Sequence, residues 1–334
     1  MASSRRMPSS YNESTYGSGG GYDYTALATW EAATDNNLVT ATDGEVLTCY
    51  DDGAPYTDNV ILAGATTNTS YFRVIRPATD QQGTDTTGVR FYRSGTGSYN
   101  TFTIEEDHVG IYDLGIKLVS TSVAGNAKVK GVLCSADYAK IVGNSIKVYA
   151  TYAGTGTFGS SVGIEITGDS NYVVNNRLYD CYTNSSSGAP VSGGVVCISA
   201  SGTKTSYVYN NTKTGCEYGV VAGANSGCTV VVNVTNGIMQ SSQHAATFQS
   251  DFYLYTGTET INETTCATSG VTFDADGYHL DPDDTVAKDQ GTDLSSDSYY
   301  AFDDAIDGND RVLSWDIGCD EALSAFVPKV IWFM

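Results

Sequence analysis

Apolar and polar positions alternate in short bursts along this chain, and one burst returns five times between about residues 108 and 250. Val109–Ile116, Ala139–Ile146, Asn171–Leu178, Ser206–Lys213 and Cys228–Thr235 each hold a short β-branched run, and four of them carry an asparagine at one offset. A second line reads Gly131-Val-Leu-Cys134, Gly163-Ile-Glu-Ile166, Gly194-Val-Val-Cys197 and Gly219-Val-Val-Ala222, with glycine spacings of 32, 31 and 25. Asparagines Asn144, Asn176, Asn211 and Asn233 follow at 32, 35 and 22. Two or three short strands per repeat of this length predict a β-solenoid. Leucine-rich repeats need a leucine ladder and helical repeats a 3.6-residue period, and neither is present. Propeller blades need about 40 residues each.

Alternation then assigns faces. Val132, Ile164, Val195 and Val220 form one column, and Cys134, Ile166, Cys197 and Ala222 form a second two residues on, so both face the core. The asparagines Asn144, Asn176, Asn211 and Asn233 are expected as a structural ladder. A coil must turn sharply between sheets, asparagine tolerates left-handed backbone, and its amide can bond the amide one coil away. On the outside, Leu133, Glu165, Val196 and Val221 make a mainly apolar stripe. Leu133, Val196 and Val221 are therefore an expected interface, covered by the excursions at 150–160 and 183–193 or by another subunit. Lys140, Tyr172, Tyr207 and Thr229 are expected to stack outward on another sheet. Tyr172 and Tyr207 there are candidates for binding a sugar or a protein, against the alternative of ordinary surface tyrosines.

Residues 1–21, rich in Ser, Gly and Tyr, are expected as a flexible arm. Residues 22–100 hold an N-terminal cap and the first coils. Tyr24–Ala33 predicts a helix capped by Thr25, with Leu27 and Trp30 on one face, suited to covering the open solenoid end. Strands are expected at Glu45–Tyr50, Asn59–Ala63, Tyr71–Arg76 and Val89–Tyr92. Regular coils occupy 101–270, a C-terminal cap 271–321 and an apolar tail 322–334. Phe326, Val330, Trp332 and Phe333 of that tail need burial, in the last coil or in a neighbour.

Composition narrows the classes. The chain has 334 residues, room for about eight to ten coils with caps. Lys and Arg number 17 against 38 Asp and Glu, a net charge of −21, so no basic face for nucleic acid is expected. No run of 18 apolar residues suggests a membrane span. Arg5 and Arg6 are followed by no apolar stretch, which leads to the expectation of assembly in the cytoplasm rather than export. Eight cysteines show no zinc spacing. Cys134 and Cys197 fall in the core column. Cys181 and Cys216 should stack on adjacent coils roughly 5 Å apart, as free thiols or as a bridged pair. Six N-x-[ST] sequons are expected by chance in so Asn-, Ser- and Thr-rich a chain.

The chemistry candidates are few. Glu105, Glu106, Asp107 and His108 are the densest titratable group in the coils, able to do acid–base work or to form a solvated turn. Asp303, Asp304, Asp307, Asn309 and Asp310 offer oxygen ligands for calcium, without EF-hand spacing, or a structural turn. No other cofactor is expected. His108, His244 and His279 are too scattered for a triad.

Three closing segments, Tyr278-His-Leu280, Asp307-Gly-Asn-Asp-Arg311 and Asp316-Ile-Gly-Cys-Asp-Glu321, resemble the C-terminal end of right-handed parallel β-helix proteins of the pectin-lyase-like superfamily. Cys319 stands where alanine is usual. The opening Gly20–Ala33 is similar to the capping helix of the same proteins. The resemblance implies an all-β, right-handed parallel β-helix with caps at both ends. The superfamily spans polysaccharide lyases, glycoside hydrolases, adhesins and phage tailspikes, so fold alone does not choose a function. The Asp, His and Arg-x-Lys sets of its hydrolases are missing here, and Asp51-Asp52 has no partners. Two functions are therefore expected. One is a non-enzymatic virion protein (a phage decoration, fibre or tailspike-like element) that docks on other virion proteins or on copies of itself. The alternative is a carbohydrate-active enzyme or glycan-binding adhesin, extracellular or at a cell surface, working on the solenoid flank.

Overall fold

A computed structural model describes residues 3–122, 128–152, 160–183, 192–240, 256–274, 279–311 and 314–322. The chain is a parallel β-solenoid of about seven turns. Sheet I holds nine strands: Tyr11–Tyr16, Gly44–Cys49, Arg73–Pro77, Gly110–Tyr112, Lys140–Val142, Asn171–Val174, Thr203–Tyr209, Thr229–Thr235 and Thr258–Thr264. Sheet II holds Arg90–Gly95, Gly115–Ser122, Ser145–Tyr152, Arg177–Thr183, Thr212–Thr214 and Ile238–Gln240. Sheet III holds Val60–Leu62, Tyr99–Ile104, Lys128–Cys134, Ser160–Ile166, Gly193–Ser199 and Tyr218–Ala224. The turns are fewer than the length allows because the described residues after about 280 add no strand and lie against the solenoid.

Register follows the apolar columns, since a one-residue slip would turn every core side chain outward. Val60, Phe102, Val132, Ile164, Val195 and Val220 are aligned across sheet III, and none is more than 3% exposed. Cys134, Ile166, Cys197 and Ala222 line up two residues on, as the alternation predicts. Opposite them, sheet II contributes Phe91, Ile116, Ile146, Leu178, Lys213 and Met239 in one column. Lys213 is the exception in that column, and it is 1% exposed. The glycine column has a steric cause. A Cβ on Gly163 would lie 2.5 Å from a methyl of Leu178 and 2.7 Å from the Gly194 carbonyl oxygen.

The corner between sheets I and II carries the asparagine ladder. The Asn144 amide donates to Asn176 Oδ1 at 3.0 Å, and the Asn176 amide donates to Asn211 Oδ1 at 3.0 Å. Each amide also donates to a strand carbonyl one coil back, those of Ile111, Ile141 and Val173. The left-handed backbone belongs to the residue before each rung: Asp113, Gly143, Asn175, Asn210 and Asn236. Asn233 is not a rung. It pairs with Tyr207 on the outer face of sheet I, so Gly237 takes the ladder position. The all-valine run at 230–232 leaves the register open by eye, and only the Asn236-Gly237 corner sets it.

Asn176 to alanine would leave the buried backbone N–H of Asn144 without its acceptor and remove one of the three acceptors of the Asn144 side-chain amide. The expected loss is about 3 kcal/mol, read as a lower urea midpoint. Asn233→Ala, at a half-buried site, is expected to cost less than about 0.5 kcal/mol.

Helix α1 spans Leu27–Thr34 and buries Leu27, Trp30 and Thr34 beside the first strand of sheet III. Its first N–H is satisfied not by Thr25 but by the Asp58 carboxylate, to which Leu27 N donates at 3.1 Å. The segment expected as a free arm is engaged. Tyr11–Tyr16 pairs in parallel with Gly44–Cys49, and Arg5 forks between Asp113 (2.7 Å) and Asp304 (2.8 Å). Of the segment expected to close the far end, Val271, Leu280, Ala287 and Ile317 pack on Ile238 and Ala267 beside the last coil, and later residues lie along the outer face of sheet I and the asparagine corner. Leu294, Tyr300, Phe302 and Trp315 pack there on Val74, Tyr112, Val142, Val174 and Tyr209. The resembling motifs meet in this layer: Arg311 donates to Glu321 Oε2 and to the carbonyls of Asp316, Gly318 and Asp320.

Candidate functional site

The outer face of sheet I has two fates. Its second column, Tyr112, Val142, Val174 and Tyr209, is roofed by the C-terminal segment. Its first column, Lys140, Tyr172, Tyr207 and Asn233, is roofed only in part. Tyr172 and Tyr207 stack at 5.2 Å between ring centres. Tyr300 then lies on Tyr172 at 4.6 Å, and Tyr299 on Tyr207 at 4.7 Å. The two candidate tyrosines thus bind rings, but rings of their own chain, and Thr229 lies outside their column.

Beside that aromatic stack a cleft of about 720 Å³ remains, between the N-terminal segment and the C-terminal layer. Arg6, Phe72, His108, Tyr138, Lys140, Tyr172, Tyr299 and Tyr300 line it, with Ser3, Arg5, Met7, Thr69 and Ala301. Sheet register places each polar group. Lys140 opens its strand and projects outward because Ile141 must project into the core. His108 and Tyr138 occupy equivalent left-handed corners of successive coils, so their rings stack at 4.9 Å. Arg6 is held over the Tyr300 ring at 4.3 Å, and the Tyr300 hydroxyl donates to the Ser4 carbonyl.

Lys140 is the chemically unusual group. It is 7% exposed, its Nζ lies 4.1 Å from the centre of the Phe72 ring, and it makes no hydrogen bond or ion pair among the described residues. Burial, reinforced by the Arg6 cation, pushes its ammonium down to about 7. The same burial, with Lys140 adding to it, lowers His108, while Asp107 and Asp137 oppose. A cleft lined by Arg5, Arg6, Lys140 and several rings stands out on a chain of net charge −21.

The four residues 105–108 do not act together. Glu106 turns inward, 5% exposed, and takes both carboxylate oxygens to the fully buried Arg73 guanidinium. It also accepts from Ala65 N at 3.0 Å. A solvated turn is therefore the wrong description for Glu106, whereas Glu105 and Asp107 are exposed. Asp107, Asp137 and Asp169 form a second ladder, each carboxylate accepting the backbone N–H one coil on. Asp303–Asp310 forms a tight turn in which Asp304 bridges to Asp310, and the Asp304 carboxylate is engaged by Arg5, Ser3 and Ser4 N. Among the described residues no three His, Cys, Asp or Glu side chains come close enough to hold a metal ion.

All eight cysteines are free thiols. Cys181 and Cys216 are hydrogen-bonded neighbours, and burial holds the Cys181 thiol well above its ordinary value. The outer stripe is covered by this chain: Val196 and Val221 are at most 1% exposed and cluster with Val162, while Leu133 is half-buried. Phe326, Val330, Trp332 and Phe333 lie outside the described residues.

No family model, curated protein or solved structure matches this chain.

Arg6, Tyr138, Tyr299 and Tyr300 escaped sequence reasoning. Only the Tyr299-Tyr300 pair, two adjacent rings in an acidic stretch, offered a signal. No helix among the described residues is long and apolar enough to cross a membrane.

Proposed function

We propose that this protein is a non-enzymatic β-solenoid recognition module that binds an acidic carbohydrate in the cleft over sheet I. The observation that carries this reading is Lys140, nine-tenths buried, without a partner, in an aromatic cleft. Sugar rings stack on tyrosine faces, and a carboxylate between Lys140 and Arg6 would relieve a costly unpaired charge. The lining brings cations and rings together and includes no Asp or Glu. That composition supports recognition of an anion over two-carboxylate hydrolysis. The terminal motifs support a right-handed β-helix of pectin-lyase-like type. A place on a virus particle, with the 326–334 tail as the docking end, is the setting that the sequence supports.

Calorimetric titration with uronate-containing and neutral oligosaccharides tests the reading. Acidic oligosaccharides are expected to bind, and Lys140→Met to weaken them by about 2 kcal/mol while leaving neutral sugars unaffected. Anion binding needs the ammonium form, so affinity should fall as pH rises past about 7. The bound anion itself moves that loss to higher pH. Arg6 is the cation that acts on Lys140, His108 beside it is influenced in turn by Asp107 and Asp137, and Arg5, Tyr138, Tyr172, Tyr299 and Tyr300 share the lining. Equal binding of neutral and acidic sugars, or none of either, overturns the reading.

A further inference from the structure

We propose that Lys140 is also the nucleophile of a carbonyl-capturing site, condensing with the oxo group of a 2-oxo acid whose carboxylate is held by Arg6. This inference rests on the anion-binding cleft of the reading above and names a second, smaller class of ligand for it. Three observations carry it. Lys140 Nζ borders an open cleft of about 720 Å³, so a small molecule reaches it. No acceptor among the described residues holds the amine as ammonium, and burial and the nearby Arg6 cation both favour its neutral form, against the weaker pull of the Phe72 face on the cation. Among the described residues the Arg6 guanidinium has only the Ala301 carbonyl at 3.3 Å and the Tyr300 ring, whereas Arg5 is consumed by Asp113 and Asp304. Arg6 can therefore take a carboxylate beside the amine. Lys130, Lys147 and Lys204 have carboxylate partners, Lys213 is sealed in the core, and Lys128 is exposed.

The step balances without a co-reactant. The amine lone pair attacks the carbonyl carbon, two protons from nitrogen leave with the carbonyl oxygen as water, and C=N replaces C=O. Nothing is oxidised or reduced.

The full chain incubated with pyruvate and cyanoborohydride, then digested and mapped by mass spectrometry, tests this. One reduced adduct per chain is expected at Lys140, forming faster on the alkaline side of about 7. That sign is opposite to the one expected for acidic-sugar affinity. Lys140→Arg keeps the cation and the fold but not the nucleophile. It should lose the adduct. Arg6→Gln should slow capture of pyruvate about tenfold more than capture of acetaldehyde, which loses only the effect of the Arg6 charge on the amine. No adduct at Lys140, or equal labelling spread over exposed lysines such as Lys128 in both wild type and Lys140→Arg, overturns the proposal. Labelling of Lys140 without acidic-sugar binding would sink the recognition reading alone.

Discussion

Arg73→Met is expected to destabilise the protein by about 3–5 kcal/mol, the largest loss from any single change considered for this chain. Arg73 is fully buried, and its guanidinium donates to both oxygens of Glu106, to the carbonyls of Glu31 and Ala63, and to Thr34. Those partners belong to α1, to the first strands and to the corner before Gly110. One side chain thus ties the helix to two coils. Removing it strands the Glu106 carboxylate in an apolar surround, where burial already pushes its carboxyl up. Glu106→Leu alone should cost less, because the guanidinium keeps the Glu31 carboxylate at 3.5 Å. Arg73→Met with Glu106→Leu should recover most of the loss, because two charges no longer need desolvating. Urea unfolding of the two single variants and the double variant measures this. Additive losses in the double variant would show that the pair is not coupled.

Lys213→Met is expected to stabilise the protein by roughly 3 kcal/mol at neutral pH. Lys213 follows Leu178 and precedes Met239 in a core column, its Nζ has no hydrogen-bond partner, and burial lowers its ammonium to about 8. Its stem lies under Gly194, where a Cβ would stand 3.1 Å from Lys213 Cδ, so an unbranched methionine fits the same space. The sign follows from linkage. The folded value lies below the unfolded one near 10.5, so the unfolded chain binds the proton more tightly. The penalty is complete below about 8 and lifts as pH rises toward 10.5. Wild-type stability should therefore gain on Lys213→Met across that window, and the two should converge at its top. Thermal melts at neutral and alkaline pH read both effects. A Met variant less stable than wild type at neutral pH would mean that the thiols around Lys213 hold its charge.

The repeat itself was legible in the sequence because it is a local pattern stacked on itself. Columns such as Val132, Ile164, Val195 and Val220 need only alternation and a period, and the rungs Asn144, Asn176 and Asn211 need only a fixed offset. Asn233 was misplaced because a uniform valine run carries no register information until the following corner is known. Lys213 was invisible because its neighbours in sequence, Thr212 and Thr214, are polar too, and only its stacking between Leu178 and Met239 puts it inside.

The candidate site illustrates the same division. The sequence by itself determined the parallel β-solenoid, its inward columns and the outward placement of Lys140, Tyr172 and Tyr207, since each depends on residues a few positions apart. Only the tertiary structure decided what covers those outward positions. Arg5, Arg6, Tyr299 and Tyr300 come from opposite ends of the chain, and no periodicity links them to Lys140. Their docking on sheet I desolvates one lysine, leaves it without a partner and turns a flat strand face into a cleft.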